Sequence, residues 1–388
     1  MTPAITTQHG HDSGVSDLAR GDPGADLLPA SLVRDAAERV TARLDPDLLQ
    51  YGVEQGDAGV REALVELLEG EGAGSGPPER LFVTAGASLA LHLVCGLFTE
   101  PGDRVLVADP TYHLALAQFR DHRLRVEAVA SDTDGIDPHA LDAALRSSRA
   151  SLLYLVPAFG NPTGSTLPPA RQEEVAEVAA RHDLLVVADE VYRLTGFDHV
   201  PRSLAGIGDA RVLSLNSVSK VLSPGLRLGW IDGPEEDLAR IARSGVLRSG
   251  GGMNPFTAAL VAEAVGSGAL RDHIARLRVL LRERHDALAS ALRTELPEAQ
   301  FRSVAGGYFL WVRVPGFAVG APEARESLRE KGVKVAPASS FSPTSADGTV
   351  SGSEQTSQSM RLCFAHATPD GLREGVRRLA AAVRDART

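Results

Sequence analysis

The 388-residue chain is 43% hydrophobic and 23% charged, the balance of an ordinary soluble globular protein long enough for two domains and a sizeable core. Its formal charge of -10 argues against nucleic-acid or anionic-membrane partners, which demand a basic surface. Two cysteines, Cys95 and Cys363, form neither a disulfide framework nor a metal-ligand spacing and fit a reducing cytoplasm, and no apolar run approaches the ~20 residues that span a bilayer.

In chain order, residues 1–14 read as a disordered polar arm without the basic start and apolar stretch of a signal peptide. His9 and His11 on that arm are incidental. Gly and Pro punctuate 17–29, DLARGDPGADLLP, so this segment is expected to be extended and turning. Apolar Leu32, Ala36, Val40 and Leu44 recur at helical spacing and predict an amphipathic helix over 32–44. Tyr51 and Gly52 fall in a loop before a second helix at 60–68. The glycine-rich stretch after it precedes a strand instead of following one, so it is a linker and not a dinucleotide loop.

From Leu81 short apolar runs alternate with helical stretches. Strands are expected at 81–84, 104–109, 125–130, 151–157, 184–190 and 212–217, with helices at 89–98, 111–119, 138–145 and 168–182. Such βαβα alternation predicts a largely parallel sheet covered on both faces. Long helical patterns follow over 257–296. A strand at 308–314, a helix at 322–331, strands at 332–337 and 360–365 and a helix at 370–386 read as a smaller α+β domain, and the small polar residues of 342–359 predict a mobile loop.

Ligands of open parallel sheets gather beyond the carboxyl ends of the strands. Small residues from Thr84 to Ser88 would place free N–H groups at a helix start where a phosphate binds, or form a plain tight turn. Asn161-Pro162-Thr163-Gly164 is either only a turn or one whose asparagine amide would donate toward a ring oxygen. Asp189, directly after an apolar strand, is either costly without a cationic partner or a helix N-cap. Lys220 sits on a small loop between apolar runs, which is either a plain exposed loop or one where partial burial would lower the amine pKa and free its lone pair for a carbonyl. Ser217, Ser219 and Arg227 around it suit a phosphate.

These motifs, together with Asp189-Glu190-Val191-Tyr192 and Arg361, stand in an order and spacing that resemble the pyridoxal-phosphate (PLP) aminotransferases of class I/II. The resemblance runs from about Asp17 to the C-terminus. It is nearest to the branch holding the 2-aminoadipate and kynurenine transaminases and the effector domains of MocR-type regulators, through DLARGDPGADLLP, YGVEQGDAGVREAL, GGMNPFTAAL and GGYFLWV. It implies a fold type I α/β transferase with a mostly parallel seven-stranded sheet and a smaller α+β domain. The expected division is an arm 1–14, an N-terminal part of the small domain 15–45, a large PLP-binding domain 46–290 and a small C-terminal domain 291–388.

By resemblance, Lys220 would form the internal aldimine with PLP and then serve as base, and Asp189 would pair with the pyridine nitrogen. Asn161 and Tyr192 would bond the phenolic oxygen, Tyr112 would stack on the ring, and Gly86, Ala87, Ser88, Ser217, Ser219 and Arg227 would receive the phosphate. Tyr51 would reach a phosphate in the neighbouring subunit, implying a homodimer with shared sites. Arg361, helped by Asn161, would clamp the substrate carboxylate through a fork that lysine cannot reproduce. Three positions depart from the family pattern: Ala87 lacks a frequent hydroxyl, Ala338 replaces a frequent glycine, and Gly160 is expected to open space beside the cofactor.

The expected activity is amino-group transfer from an α-amino acid to a 2-oxo acid in cytoplasmic amino-acid metabolism. The alternative is another PLP outcome, such as elimination, replacement or cyclisation. A ligand-sensing regulator is less expected, because only about 16 residues precede the resemblance and the charge is wrong for DNA. His113 at a helix start and His366 are expected to face solvent, and Trp230 and Trp311 to be core.

Overall fold

The computed structural model describes residues 14–343 and 354–387; the expected arm at 1–14, save Gly14, and most of the expected loop at 342–359 lie outside the described residues. In chain order the strands are β1 (Ser16–Asp17), β2 (Leu81–Thr84), β3 (Arg104–Ala108), β4 (Arg125–Val129), β5 (Ser131–Asp132), β6 (Gly135–Ile136), β7 (Leu152–Leu155) and β8 (Leu185–Asp189). They continue as β9 (Val212–Ser217), β10 (Gly229–Asp232), β11 (Gln300–Phe301), β12 (Phe309–Arg313), β13 (Val333–Lys334), β14 (Ala336–Pro337) and β15 (Ser359–Cys363).

Seven strands form the main sheet in the order β2-β10-β9-β8-β7-β3-β4. All neighbours pair parallel except β10, which runs antiparallel to both β2 and β9. The period-two alternation of a strand explains why the runs are apolar throughout. Along β7, Leu152 and Tyr154 enter the core on one face with Phe82, Val107 and Phe119, while Leu153 and Leu155 enter the other with Leu106, Val175 and Val186. Helices Ala87–Phe98 and His113–Asp121 cover the first face, and Pro138–Ser147 and Pro169–Arg181 the second. Each fully buried Leu or Val on these faces contributes roughly 1.5–3 kcal/mol.

A second, antiparallel sheet of four strands runs β11-β12-β15-β14, and β1 pairs with β13 in a parallel two-stranded ribbon. Helices Ala269–Glu295 and Pro369–Asp385 pack on each other behind the four-stranded sheet, where Leu18 fills the space above Gly375. This arrangement carries Arg361 on β15 towards the carboxyl ends of β7 and β8.

Local structure differs from expectation at several places, among them unforeseen helices at Glu235–Ala242 and Gly245–Gly250 and a short helix at Glu354–Ser357 within the expected loop. The first long helix spans Ala30–Ala42 and stops short of Leu44, which is 41% exposed because it lies beyond the apolar stripe. The helical stretch 257–296 is two helices, Pro255–Gly266 and Ala269–Glu295, broken where Gly268 takes a left-handed conformation at φ 75°. The strand expected at 332–337 is split, β13 pairing with β1 and β14 with β15. The hairpin of β5 and β6 was not foreseen; its two-residue strands are too short to show periodicity.

Candidate active site

At one end of the site, β2 runs into Gly86 at φ 91°, the N-cap of helix Ala87–Phe98, whose start has no side-chain cap. Glycine is required there, since a Cβ would come within 2.6 Å of Arg227 Nη2. Gly229 on β10 is required for a related reason: its Cβ would meet Gly86 Cα at 2.8 Å. The two glycines let the guanidinium close over an open helix start. Arg227 donates to the carbonyls of Ala85 and Pro224, each at 3.1 Å. The Ser217 hydroxyl donates to the Leu228 carbonyl at 2.9 Å and lies 2.8 Å from the Ser219 hydroxyl. With Ala87 and the exposed Ser88 in the first turn of the helix, these groups make a cup rich in N–H and O–H donors beside a positive helix end.

Lys220 ends the short helical turn after β9. Its Nζ donates to the Gly21 carbonyl at 2.9 Å and lies 5.3 and 5.4 Å from the ring centroids of Tyr192 and Tyr308. The Tyr308 hydroxyl holds the Lys220 carbonyl at 2.6 Å. Burial lowers the Lys220 pKa against the opposing pull of Cys363, Asp189 and Asp22.

Asp189 ends β8 buried, its Oδ2 accepting from the Tyr154 hydroxyl at 2.8 Å. It is not a helix N-cap. Burial raises its pKa to about 6, while the Tyr154 hydrogen bond and Lys220 pull the other way. Glu190 faces away from it, as alternation requires. There it pairs with Arg193 at 2.8 Å and accepts from Ser203, Ser214 and the Leu204 N–H, a structural network and not part of the site.

Asn161 follows β7, and its Oδ1 accepts from Arg361 Nη1 at 2.8 Å. Its amide N–H groups therefore remain as donors. Arg361 also donates from Nη2 to the Ala19 carbonyl, lies over the rings of Phe309 (4.2 Å) and Phe341 (4.9 Å), and leaves Nε buried without a partner. Tyr192 is buried edge-on to Tyr308 and Phe309, and burial keeps its hydroxyl protonated well above the usual range. Tyr112 precedes helix His113–Asp121, its hydroxyl pushed up to about 12 by burial and by Asp189.

The structure thus gathers Lys220, Asp189, Tyr192, Asn161, Tyr112 and Arg361 in one chamber, with Gly86, Ala87, Ser88, Ser217, Ser219 and Arg227 at the cup. Tyr51 stands apart. It is 81% exposed beside the Gly52–Gly252 bridge, on a cavity of about 660 Å³ lined also by Val60, Met253 and Pro255. A cavity of about 570 Å³ adjoins the chamber through Thr111 and Asn161 without reaching Lys220 or Asp189.

Some expectations are corrected here. Gly160 lines the 570 Å³ cavity beside the chamber, but the turn itself calls for glycine, since a Cβ would meet the Val156 carbonyl at 2.8 Å. Trp311 is only partly buried and lines the 570 Å³ cavity, whereas Trp230 is core. His113 is packed edge-on between Tyr112 and Phe341, with burial lowering its pKa to about 4, and His366 is likewise largely covered, 3.8 Å from Asp22. Ala338 is buried in a short helical turn. Residues missed from sequence are Tyr154, Tyr308, Phe309 and Phe341; the one available signal was a lone tyrosine in the otherwise aliphatic β7.

The donor set suits pyridoxal phosphate. An uncapped helix start under an arginine awaits an anion, a buried carboxylate awaits a cation, and a half-buried lysine supplies an amine between them.

Comparison with known proteins agrees. The family model described as "Aminotransferase class I and II" matches residues 13–379. The 2-aminoadipate transaminase of Thermus thermophilus is 31% identical over 96% of this chain and 90% of its own. The crystal structure of the α-aminoadipate aminotransferase LysN from Thermus thermophilus, complexed with N-(5'-phosphopyridoxyl)-L-leucine, superposes with a TM-score of 0.84 at 30% identity, covering 96% of this chain and 93% of that one. An HTH-type transcriptional regulator of Bacillus subtilis is 27% identical over 95% of this chain and 73% of its own length.

Proposed function

Since the chain belongs to the aminotransferase class I and II family and is a PLP-dependent aminotransferase of fold type I, we propose the following roles for its residues. The observation that carries the reading is that the Lys220 amine and the Asp189 carboxylate face one chamber, each feeling the other's charge, beneath the carboxylate-binding fork of Arg361.

When bound, pyridoxal phosphate supplies the electron sink that makes a substrate's α-proton removable. Lys220, whose amine burial makes easier to deprotonate, would hold the cofactor's aldehyde and carry the substrate's α-proton. Asp189, ionised above about pH 6, keeps the ring nitrogen protonated. Asn161 through its amide and Tyr192 through its hydroxyl would hold the phenolic oxygen, and Tyr112 would pack against the ring. Gly86, Ala87 and Ser88 offer N–H groups to the phosphate, with Ser217, Ser219 and Arg227 closing around it.

Arg361 binds the α-carboxylate of amino acid and 2-oxo acid alike. The Ala19 carbonyl on Nη2 and the orphan Nε mark where a substrate's two oxygens would be received. The names of the relatives favour amino transfer over elimination, replacement or cyclisation.

The protein works as a homodimer in which Tyr51 completes the partner's phosphate site. Exposed Leu49 (69%), Tyr51 (81%), Val53 (60%) and Val246 (62%) support this, being apolar surface a lone chain would leave wet. A cytoplasmic setting suits the two unpaired buried cysteines, and no helix among the described residues is long and apolar enough to cross a membrane. A role in amino-acid biosynthesis and the division into segments 15–45, 46–290 and 291–388 belong to the same reading. The test is a half-reaction screen of the purified holoenzyme against many amino acids, following the cofactor spectrum and the release of 2-oxo acid. The reading requires at least one pair that turns over with the amino group left on the cofactor, and 2-oxo acid released with ammonia, or spectral change without oxo acid, would speak for another PLP outcome.

A further inference from the structure

Asp189 has two carboxylate oxygens and unequal company for them. Oδ1 has only a long contact of 3.5 Å from the Val191 N–H, whereas Oδ2 takes the Tyr154 hydroxyl at 2.8 Å. Tyr154 is fully buried on β7, the strand paired with β8, in register with Val187. Its ring is fixed edge-on against Phe119 at 5.5 Å, so the hydroxyl is aimed by packing and does not have to find its partner.

We infer that Tyr154 is a positioning residue for the cofactor-binding acid: its hydroxyl pins Oδ2, sets the rotation of the carboxylate, and leaves Oδ1 as the oxygen offered to the pyridine nitrogen. This rests on the role proposed above for Asp189. A donor on a carboxylate favours the ionised form, so the same bond opposes the effect of burial. The other ionisable groups acting on this carboxyl are Lys220, Glu190, Tyr112 and Tyr192. Lys220 favours ionisation and Glu190 opposes it. Only Tyr154 donates a side-chain hydrogen bond to it among the described residues. Deleting the hydroxyl therefore frees the carboxylate to rotate and raises its pKa, and both effects weaken its grip on a protonated ring.

Tyr154→Phe keeps the ring and its packing on Phe119. Three readouts apply: PLP affinity by equilibrium dialysis, the Asp189 carboxyl titration in the cofactor-free protein by carbon NMR, and the acid limb of the kcat/KM profile. The inference expects PLP to bind about tenfold more weakly, as for loss of one hydrogen bond to a charged group, and the carboxyl titration and the acid limb to move up together by about one pH unit.

Unchanged affinity and unchanged titration in Tyr154→Phe overturn the inference. If Asp189→Asn also leaves PLP affinity unchanged, the role of Asp189 fails as well, which separates the two failures. Should the Phe variant not fold, site-specific 3,5-difluorotyrosine at 154 gives the opposite sign, a stronger bond and a lower carboxyl pKa, and absence of that shift likewise overturns it.

Discussion

Arg361 on β15 and Asn161 after β7 are joined by a 2.8 Å hydrogen bond from Nη1 to Oδ1, tying the four-stranded sheet to the carboxyl edge of the main sheet. The bond consumes the amide oxygen and so decides what each group has left. Asn161 keeps its N–H donors, which the proposed function gives to the cofactor, and Arg361 keeps Nε, which it gives to a substrate oxygen. Arg361→Lys is expected to lower kcat/KM for both amino acid and oxo acid by about a hundredfold, roughly 3 kcal/mol, mostly through KM, because an ammonium cannot bridge the acceptors of a buried fork. Asn161→Ala should cost about tenfold. Steady-state kinetics of the two variants decide it, and equal KM values in Arg361→Lys and wild type would remove Arg361 from the substrate site.

The buried Asp189 makes function and stability oppose each other. A pKa raised from 3.8 to about 6 in the fold means that the native state holds the proton more tightly than the unfolded chain. The cofactor-free protein is then destabilised as pH rises from about 4 to 6, by up to roughly 3 kcal/mol at pH 8. Asp189→Asn removes this cost. Thermal melts of the cofactor-free variant should run above wild type at pH 8, with the gain shrinking as pH falls through 6 towards 4, while transamination is lost. A variant less stable than wild type at pH 8 would contradict the sign.

The cup at Gly86 is proposed to take the cofactor's phosphate, and removing its parts should discriminate between two forms of the cofactor. Arg227→Ala and Gly86→Ala are expected to weaken pyridoxal phosphate by tenfold or more and to leave the binding of pyridoxal, which lacks the phosphate, nearly unchanged. In Gly86→Ala the cause is steric, since the new Cβ lies 2.6 Å from the guanidinium and φ stands at 91°. Equal losses for both compounds would mean that the loop acts on the ring and not on the phosphate.

How far the site could be read in advance depended on where its residues lie. Asp189, Lys220, Asn161 and Arg227 follow strands, and the pattern of apolar runs marks strand ends well, so the carboxyl edge of the sheet was legible. Tyr154 was not, because a tyrosine inside an apolar run looks like core until the neighbouring strand supplies Asp189 as its acceptor. The reason for glycine at Gly160 was not legible, since chain spacing does not reveal that the Val156 carbonyl lies where a Cβ would go. The Ala19 and Gly21 carbonyls on Arg361 and Lys220 bring together groups about 200 residues or more apart in the chain, and a backbone oxygen leaves no mark in a sequence. The split of 332–337 between two sheets is also invisible locally, as both halves carry the same extended pattern.

The proposed sharing of sites in a dimer leads to a complementation test. Tyr51→Ala and Lys220→Ala should each be inactive as pure proteins. Mixed and allowed to exchange, they should form hybrids in which one site has both an intact lysine and an intact partner tyrosine. Recovery of activity on mixing, with sedimentation at twice the chain mass, is the expected result. Full activity of pure Tyr51→Ala would argue that the exposed tyrosine serves no neighbouring site.

The most direct measurement uses the scarcity of lysine: the chain has three, Lys220, Lys331 and Lys334. Borohydride reduction of the holoenzyme fixes the cofactor to the amine that holds it, and peptide mass spectrometry then reads the position. The pyridoxyl mass should fall on Lys220 alone at one per chain, and reduced Lys220→Ala should carry none. Label on Lys331 or Lys334, or a Lys220→Ala protein that still turns over amino acids, would contradict the assignment.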